Sequence, residues 1–152
     1  MRIGKGCAIL NTIYDFGREP WLIQIGNRVT ITKGVMLLTH DGASRLFRDQ
    51  LSGSSRYGNR FAPIIIHDEC FIGVNSIIMP GVTIGPNSIV GVGSVVNQDV
   101  PPSTVVAGVP ARHICSLEEY IERYQEKMIP IESDNRADLR RELTKRFWGE
   151  ER

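Results

Sequence analysis

The sequence is short of cysteine and of net charge, and it contains no long apolar run. Three cysteines among 152 residues form an odd set without metal-type spacing, so we expect reduced thiols rather than a disulfide framework. A net charge of +1 gives no indication of nucleic-acid binding. No segment approaches the roughly 18 consecutive apolar residues of a membrane span, and the N-terminal MRIGKGCAIL lacks the apolar core of a signal peptide. We therefore expect a cytoplasmic protein with one compact body.

A six-residue period is the main pattern in the sequence. An aliphatic residue returns at every sixth position from Ile66 to Val96, and a small or β-branched residue stands four places after each one, beginning at Cys70. The same phase runs earlier, from Ile25 to Leu37. Two columns in phase predict short strands stacked as the flat faces of a parallel β-helix, in which three hexapeptides complete one turn and the aliphatic column forms the core.

Glycines and interruptions complete this pattern. Glycine often follows the aliphatic residue, as at Gly73 and Gly85, and we expect it to permit tight corners. The phase is weaker at Ile3 and Ile9, and it is interrupted at about residues 10–24 and again by an insertion at 42–63 that is rich in Gly, Ser and Arg. Insertions in repeat folds form surface loops, so we expect loops that project from the β-helix.

The last part of the chain has a helical pattern instead. Ser116 and Glu119 have the spacing of a capping box, and the apolar residues that follow at helical spacing are Leu117, Tyr120, Ile121, Tyr124 and Met128. Pro130 is predicted to end this helix, and a second helix is predicted at about residues 136–148. The predicted organisation is a β-helix over residues 1–115 and a helical tail over 116–152.

The repeat region also resembles a known family. The run from Ile64 to Arg112 contains PGVTIG, GVGSVV, DVPP and AGVPAR in that order, and it is similar to hexapeptide-repeat acyltransferases of the galactoside, maltose and capsular-sugar O-acetyltransferase type. The resemblance extends over about residues 1–115. It implies an all-β fold, a left-handed parallel β-helix, assembled as a homotrimer with active sites between subunits. It also implies acetyl transfer from acetyl-CoA to a hydroxyl group of a small acceptor.

Three residues near the interruptions are the candidates for chemistry and acceptor binding. The resemblance places the family's catalytic histidine at His40, in LLTHDGASR, where an imidazole can take a proton from an acceptor hydroxyl and return it to the leaving thiolate. It also implies an oxyanion contact from Asn11, in AILNTIYD. Asp15 is predicted either to contact a sugar hydroxyl or to form the turn before Gly17.

The resemblance further implies a set of acetyl-CoA contacts along the later coils, at Val74, Val92, Asn97, Gln98 and Arg112. Relatives commonly have Thr-Lys where this chain has Asn97–Gln98, so a positive charge is missing. Arginines of the insertion are candidates to replace it, because guanidinium groups bind phosphate and carboxylate; they are Arg45, Arg48, Arg56 and Arg60. Of these, Arg56 and Arg60 are predicted to bind either the CoA phosphates or an acidic acceptor, and a solvated loop is the alternative.

Two other functions are alternatives to acetyl transfer. A γ-carbonic-anhydrase-like metal hydratase needs three histidines converging on zinc, but His40, His67 and His113 lack its H-x-x-x-x-H spacing, so no metal is expected. A non-catalytic assembly scaffold is the second alternative, since fold does not prove function. The expected acceptor is a sugar of the kind found in capsules, exopolysaccharides or nodulation factors, as in polysaccharide biosynthesis. A small xenobiotic alcohol is the second choice.

Overall fold

The computed structural model describes residues 1–46, 58–130 and 135–149. Most of these residues form short strands joined by tight turns, and two helices follow near the C-terminal end. The strands in chain order are β1 (Arg2–Ile3), β2 (Ala8–Ile9), β3 (Ile23–Ile25), β4 (Thr30–Ile31), β5 (Met36–Leu37), β6 (His40–Asp41), β7 (Arg60–Phe61), β8 (Ile64–Ile66), β9 (Phe71–Ile72), β10 (Ile77–Ile78), β11 (Thr83–Ile84), β12 (Ile89–Val90), β13 (Val95–Val96), β14 (Thr104–Gly108) and β15 (Ala111–Ser116). The helices are α1 (Leu117–Tyr124) and α2 (Arg136–Trp148).

The strands stack into three parallel sheets that the chain visits in rotation, which is the architecture of a β-helix. Face 1 has the order β1-β3-β8-β11, face 2 the order β2-β4-β9-β12-β14-β15, and face 3 the order β5-β10-β13. Only the pairing of β14 with β15 is antiparallel within these faces. From β3 to β13 each turn passes through face 1, face 2 and face 3, so the three corners can be named 1–2, 2–3 and 3–1.

Both predicted columns are confirmed as the core. The aliphatic residues from Ile66 to Val96 are 0–1% exposed, and the second column, from Cys70 to Val100, is 0–3% exposed. Because the columns are in phase, each aliphatic residue lies against its equivalent in the next coil, as Ile66 does with Ile84. The weak early phase is only partly buried: Ile3 is 46% exposed. Its strand β1 pairs with β3 at one end of face 1, so within the described residues one side of β1 is left uncovered.

The glycines after the aliphatic residues have a different reason from the one predicted. Gly85 does not have a positive φ; a Cβ there would lie 2.5 Å from the backbone nitrogen of Pro102 in the next coil. At Gly73 the corresponding distance to the Val92 nitrogen is 2.7 Å. Close stacking of successive coils therefore requires these glycines, whereas the left-handed corner positions are often non-glycine residues, namely Arg28, Glu69, Asn75, Asn87 and Ser103.

The described parts of the two interruptions contain short 3₁₀ turns and strands. The first contains 3₁₀ turns at Ile13–Phe16 and Pro20–Leu22. The second begins with β6 and a 3₁₀ turn at Ala43–Leu46 and ends with β7, which pairs antiparallel with β6. Residues 47–57 of the insertion lie outside the described part of the chain.

Contacts divide the chain into two compact units, Met1–Ile121 and Glu122–Arg152. The predicted capping box is present: the Ser116 N–H donates to Glu119 Oε2 over 2.8 Å, and the Glu119 N–H donates to Ser116 Oγ over 3.1 Å. Helix α1 ends at Tyr124 and a 3₁₀ turn over Gln125–Lys127 replaces the predicted continuation to Met128. Helix α2 has the predicted bounds, and none of the described helices is long and apolar enough to cross a bilayer.

Candidate active site

His40 stands at the 3–1 corner and is held by a carboxylate that the sequence analysis did not identify. Its Nδ1 lies 2.7 Å from Oε2 of Glu19, and the Thr39 hydroxyl donates to the same oxygen over 2.8 Å. The side chains of His40 and Glu19 are 28% and 15% exposed. With Glu19 ionised, Nδ1 carries the proton that this contact requires, so Nε2 is the atom that can accept a proton from a substrate.

The surroundings of Glu19 keep it ionised. The Thr39 hydroxyl, and after it the His40 imidazole, hold the pKa of Glu19 below its ordinary value, although partial burial acts in the opposite direction. Glu19 immediately precedes the 3₁₀ turn that begins at Pro20, where the fixed φ of proline suits the first position of a turn. No local sequence pattern indicates this contact, because Glu19 and His40 are in separate irregular segments that meet only in the fold.

Asn11 lies beside the start of β5. Its Nδ2 donates to the Val35 carbonyl over 2.6 Å and its Oδ1 accepts from the Val35 N–H over 3.1 Å, so the side chain takes the place of a strand neighbour. His40 follows the other end of β5, and the described contacts include no hydrogen bond between the two residues. The oxyanion role of Asn11 stays a prediction, for which the second hydrogen of Nδ2 is the available donor.

Asp15 has the turn-forming contacts that were one of its two predicted roles. Its Oδ2 accepts from both the backbone N–H and the hydroxyl of Thr12, each over 2.8 Å. Gly17 follows with a φ of 67°. A contact from Asp15 to a sugar hydroxyl remains a prediction.

Four of the residues predicted to contact acetyl-CoA form two pairs on different corners. Val74 and Val92 are at the 2–3 corner, 41% and 72% exposed, and the Gly93 N–H donates to the Val74 carbonyl over 2.8 Å, which keeps the two valines in adjacent coils. The other pair is Asn97 and Gln98, which follow β13 and are exposed.

Gln98 lies in a groove that also contains Arg112. The groove has a volume of about 190 Å³, and its polar lining includes Asp99 and His113. Asp99 uses one carboxylate oxygen to accept from the Thr83 N–H over 2.7 Å, which fixes the corner below the groove. The structure thus brings together two of the predicted cofactor residues, and it adds an imidazole that the sequence analysis left without a role.

The arginines of the insertion are only partly described. Arg60 is exposed on β7, opposite Asp41 of β6, and Arg45 is exposed in the 3₁₀ turn. Arg48 and Arg56 lie outside the described residues. Phe61, the neighbour of Arg60, is opposite His40, and the two ring centroids are 5.6 Å apart.

The histidines occupy separate places. His67 follows β8 at the 1–2 corner, His113 is on β15, and His40 is at the 3–1 corner. Within residues 1–46, 58–130 and 135–149, no three side chains of His, Cys, Asp or Glu are grouped so that they could hold a metal ion.

The chain is similar in sequence to several known proteins. A family model described as the hexapeptide repeat of succinyl-transferase matches residues 63–98. Protein CapG of Staphylococcus aureus is 48% identical over 121 residues, which are 79% of this chain and 68% of CapG. Galactoside O-acetyltransferase of Escherichia coli strain K12 is 45% identical over 71 residues, 47% of this chain and 35% of that protein.

A solved structure is similar as well. The chain matches a hexapeptide-repeat acetyltransferase from Vibrio cholerae O1 biovar eltor, complexed with acetyl coenzyme A, with 36% identity and a TM-score of 0.59. The match covers 76% of this chain and 60% of the Vibrio chain. This chain therefore spans about two thirds of CapG and less of the other two proteins.

Proposed function

Because the chain belongs to the hexapeptide-repeat acyltransferase family, we propose that it transfers an acetyl group from acetyl-CoA to a hydroxyl group of a sugar. The observation that carries the proposal is the contact between His40 Nδ1 and Glu19 at the 3–1 corner. This contact leaves Nε2 as the proton acceptor and provides a fixed negative charge for the imidazolium that forms. A histidine held in this way is prepared for general base and then general acid catalysis.

His40 acts twice in the proposed reaction. Its Nε2 removes the proton from the acceptor hydroxyl as the oxygen attacks the thioester carbonyl of acetyl-CoA. Backbone or side-chain N–H groups, with Asn11 as the first candidate, stabilise the resulting oxyanion. When the carbon–sulfur bond breaks, His40 returns the same proton to the departing thiolate, so the products are an acetyl ester and the free thiol of CoA.

Corner positions support a shared cofactor site. Gln98 is on the same corner as His40 and two coils away, about 10 Å at the usual spacing between strands. Val74 and Val92 are on the 2–3 corner, across face 3. A single chain cannot place both groups along one side of an extended ligand, whereas the 3–1 corner of one subunit beside the 2–3 corner of another can.

Face 3 has an apolar outer surface that suits contact with another subunit. Its outward-facing residues, Met36, Ile77 and Val95, are aligned in register and are all apolar. On face 1 the corresponding row is Arg2, Gln24, Ile65 and Thr83, which is more polar. Apolar rows on flat sheets favour burial against another copy. The proposed assembly is a homotrimer of left-handed β-helices, as the family resemblance implies.

A calorimetric titration with acetyl-CoA, combined with sedimentation analysis, tests this function. We expect saturable binding of about one acetyl-CoA per chain in a trimer. His40→Ala should bind acetyl-CoA normally, but with a sugar acceptor that the wild type uses, its turnover should fall about 100-fold or more. A folded trimer that does not bind acetyl-CoA would contradict the proposal and favour the scaffold alternative.

A further inference from the structure

A second groove lies on face 1, beside the corner that contains His40. It has a volume of about 150 Å³ and is lined by Arg2, Trp21, Leu22, Ile23, Gln24, Pro63 and Ile65. The Trp21 side chain is 69% exposed although it is large and apolar. The 3₁₀ turn over Pro20–Leu22 fixes its backbone, because the Leu22 N–H donates to the Glu19 carbonyl over 3.0 Å. Trp21 is thus an exposed aromatic residue on a hydrogen-bonded turn.

Two short segments connect this groove to His40. The first contains Glu19, which contacts the His40 ring, and it reaches Trp21 only two residues later. In the second segment, Phe61 is opposite His40, and the Ala62 N–H donates to the Thr39 carbonyl over 3.0 Å.

The second segment also supplies apolar surface between His40 and the groove. Phe61, Pro63 and Ile65 alternate along the sequence with Ala62 and the buried Ile64, as alternate residues on one side of a segment do, and Phe61 is 53% exposed. Phe61 and Pro63 are separated by about 7 Å of extended chain. An apolar track therefore leads from the imidazole to the groove.

The composition of the groove matches the surface of a sugar ring. A pyranose has one or two apolar C–H faces and a rim of hydroxyl groups. Trp21, Pro63 and Ile65 offer apolar surface to such a face, and an aromatic residue provides a large rigid contact area. Arg2 and Gln24 are exposed residues of the lining with N–H groups that can donate to hydroxyl oxygens.

We infer that this groove binds a sugar unit of the acceptor other than the one that is acetylated. The inference rests on the proposed function, and it narrows the substrate class to saccharides of at least two rings. The reacting ring is positioned beside Phe61 and His40, and the next ring stacks on Trp21. Face 1 suits a ligand site because its outward row is more polar than that of face 3, and face 3 is the one proposed for contact between subunits.

Binding to the groove can be measured without acetylation. The chain has two tryptophans, so Trp148→Phe leaves Trp21 as the sole tryptophan. The probes are methyl β-D-galactopyranoside and methyl α-D-glucopyranoside as single rings, and lactose and maltose as double rings. We expect the Trp21 emission of this variant to change saturably with a disaccharide, and at lower concentration than with the corresponding monosaccharide.

Acetylation kinetics provide the second measurement. For a disaccharide acceptor, Trp21→Ala should raise KM about 3- to 10-fold, the range expected for loss of one aromatic contact. KM for the single ring and the Kd for acetyl-CoA should stay as in the wild type. Trp148→Ala is the matched control, because its side chain is 86% exposed on α2, and it should change none of these values.

Several results would overturn the inference. The first is an equal change of KM for one-ring and two-ring acceptors in Trp21→Ala, and the second is no change of KM for either. The third is that the wild type acetylates only single rings or only non-sugar alcohols. A changed sedimentation coefficient for Trp21→Ala would assign the groove to a subunit contact instead. If the proposed function itself is wrong, the wild type will not bind acetyl-CoA. The fluorescence titration does not depend on acetyl-CoA, so it still measures whether the groove binds saccharides.

Discussion

Replacing Glu19 by glutamine isolates the contribution of one negative charge to the His40 site. Glutamine has nearly the same shape, and its amide oxygen can still accept from the Thr39 hydroxyl and from Nδ1. The charge at 2.7 Å from Nδ1 is lost, and charge-assisted hydrogen bonds are roughly twice as strong as neutral ones. The loss falls mainly on the transition state, because His40 becomes an imidazolium there.

The expected result is a fall in kcat of about 10- to 100-fold, since general base catalysis as a whole contributes about 10²–10⁴-fold. The Kd for acetyl-CoA should not change. Turnover is measured as the rate at which the CoA thiol is released in the presence of a sugar acceptor. Glu69→Gln is the matched control, because that carboxylate pairs with Arg28 at the 1–2 corner, and it should leave kcat unchanged.

A double-mutant cycle decides whether Glu19 acts through His40. If it does, Glu19→Gln combined with His40→Ala should be no slower than His40→Ala alone, because the charge has no imidazolium left to stabilise. Wild-type turnover in Glu19→Gln, or losses that multiply in the double variant, would refute the reasoning.

Three further predictions concern the stability of the β-helix. Gly85→Ala should lower the free energy of unfolding by about 1–3 kcal/mol, the usual cost of overpacking, because its Cβ would meet the Pro102 backbone. The measurement is thermal or urea unfolding. Gly58→Ala is the control, because a Cβ at Gly58 would have nothing within 4 Å. Ile78→Ala should lower the free energy of unfolding by about 2–5 kcal/mol in the same assay, since Ile78 is 0% exposed in the core. An unchanged unfolding midpoint would contradict the packing described. The pKa of Asp68 is lowered, mainly by the Asn27 backbone N–H, so its stabilising contribution is present above about pH 4 and is lost as pH falls through the lowered value. The difference in stability between wild type and Asp68→Asn should therefore shrink on acidification, and a difference that is constant from pH 7 to pH 3 would contradict this.

The repetitive part of the fold could be predicted because one physical requirement recurs in every coil. Each hexapeptide must bury one aliphatic and one small residue, and positions such as Ile72 and Ser76 show this directly in the sequence. The capping box at Ser116 could be predicted equally well, because both of its hydrogen bonds join residues three positions apart in the sequence.

The site was harder to predict because its contacts join segments without a period. His40 was located through family resemblance, but Glu19 belongs to an interruption in which no spacing rule connects it to the imidazole. The pairing of β6 with β7 likewise closes a loop of 18 residues between Asp41 and Arg60. Resemblance pointed to individual residues, and only the fold showed that Val74 and Gln98 are on different corners.

The in-register stacking of coils restricts how such a protein can change length. Ile66 and Ile84 are paired one coil apart, at a separation of 18 residues, while the coil that contains the insertion separates Ile25 from Ile66 by 41. A deletion or insertion of one residue inside a strand would move every later side chain out of its column. Length can therefore change by whole turns of the β-helix or at a corner. The insertion at the 3–1 corner lengthens this chain, while the strands before and after it stay paired in register.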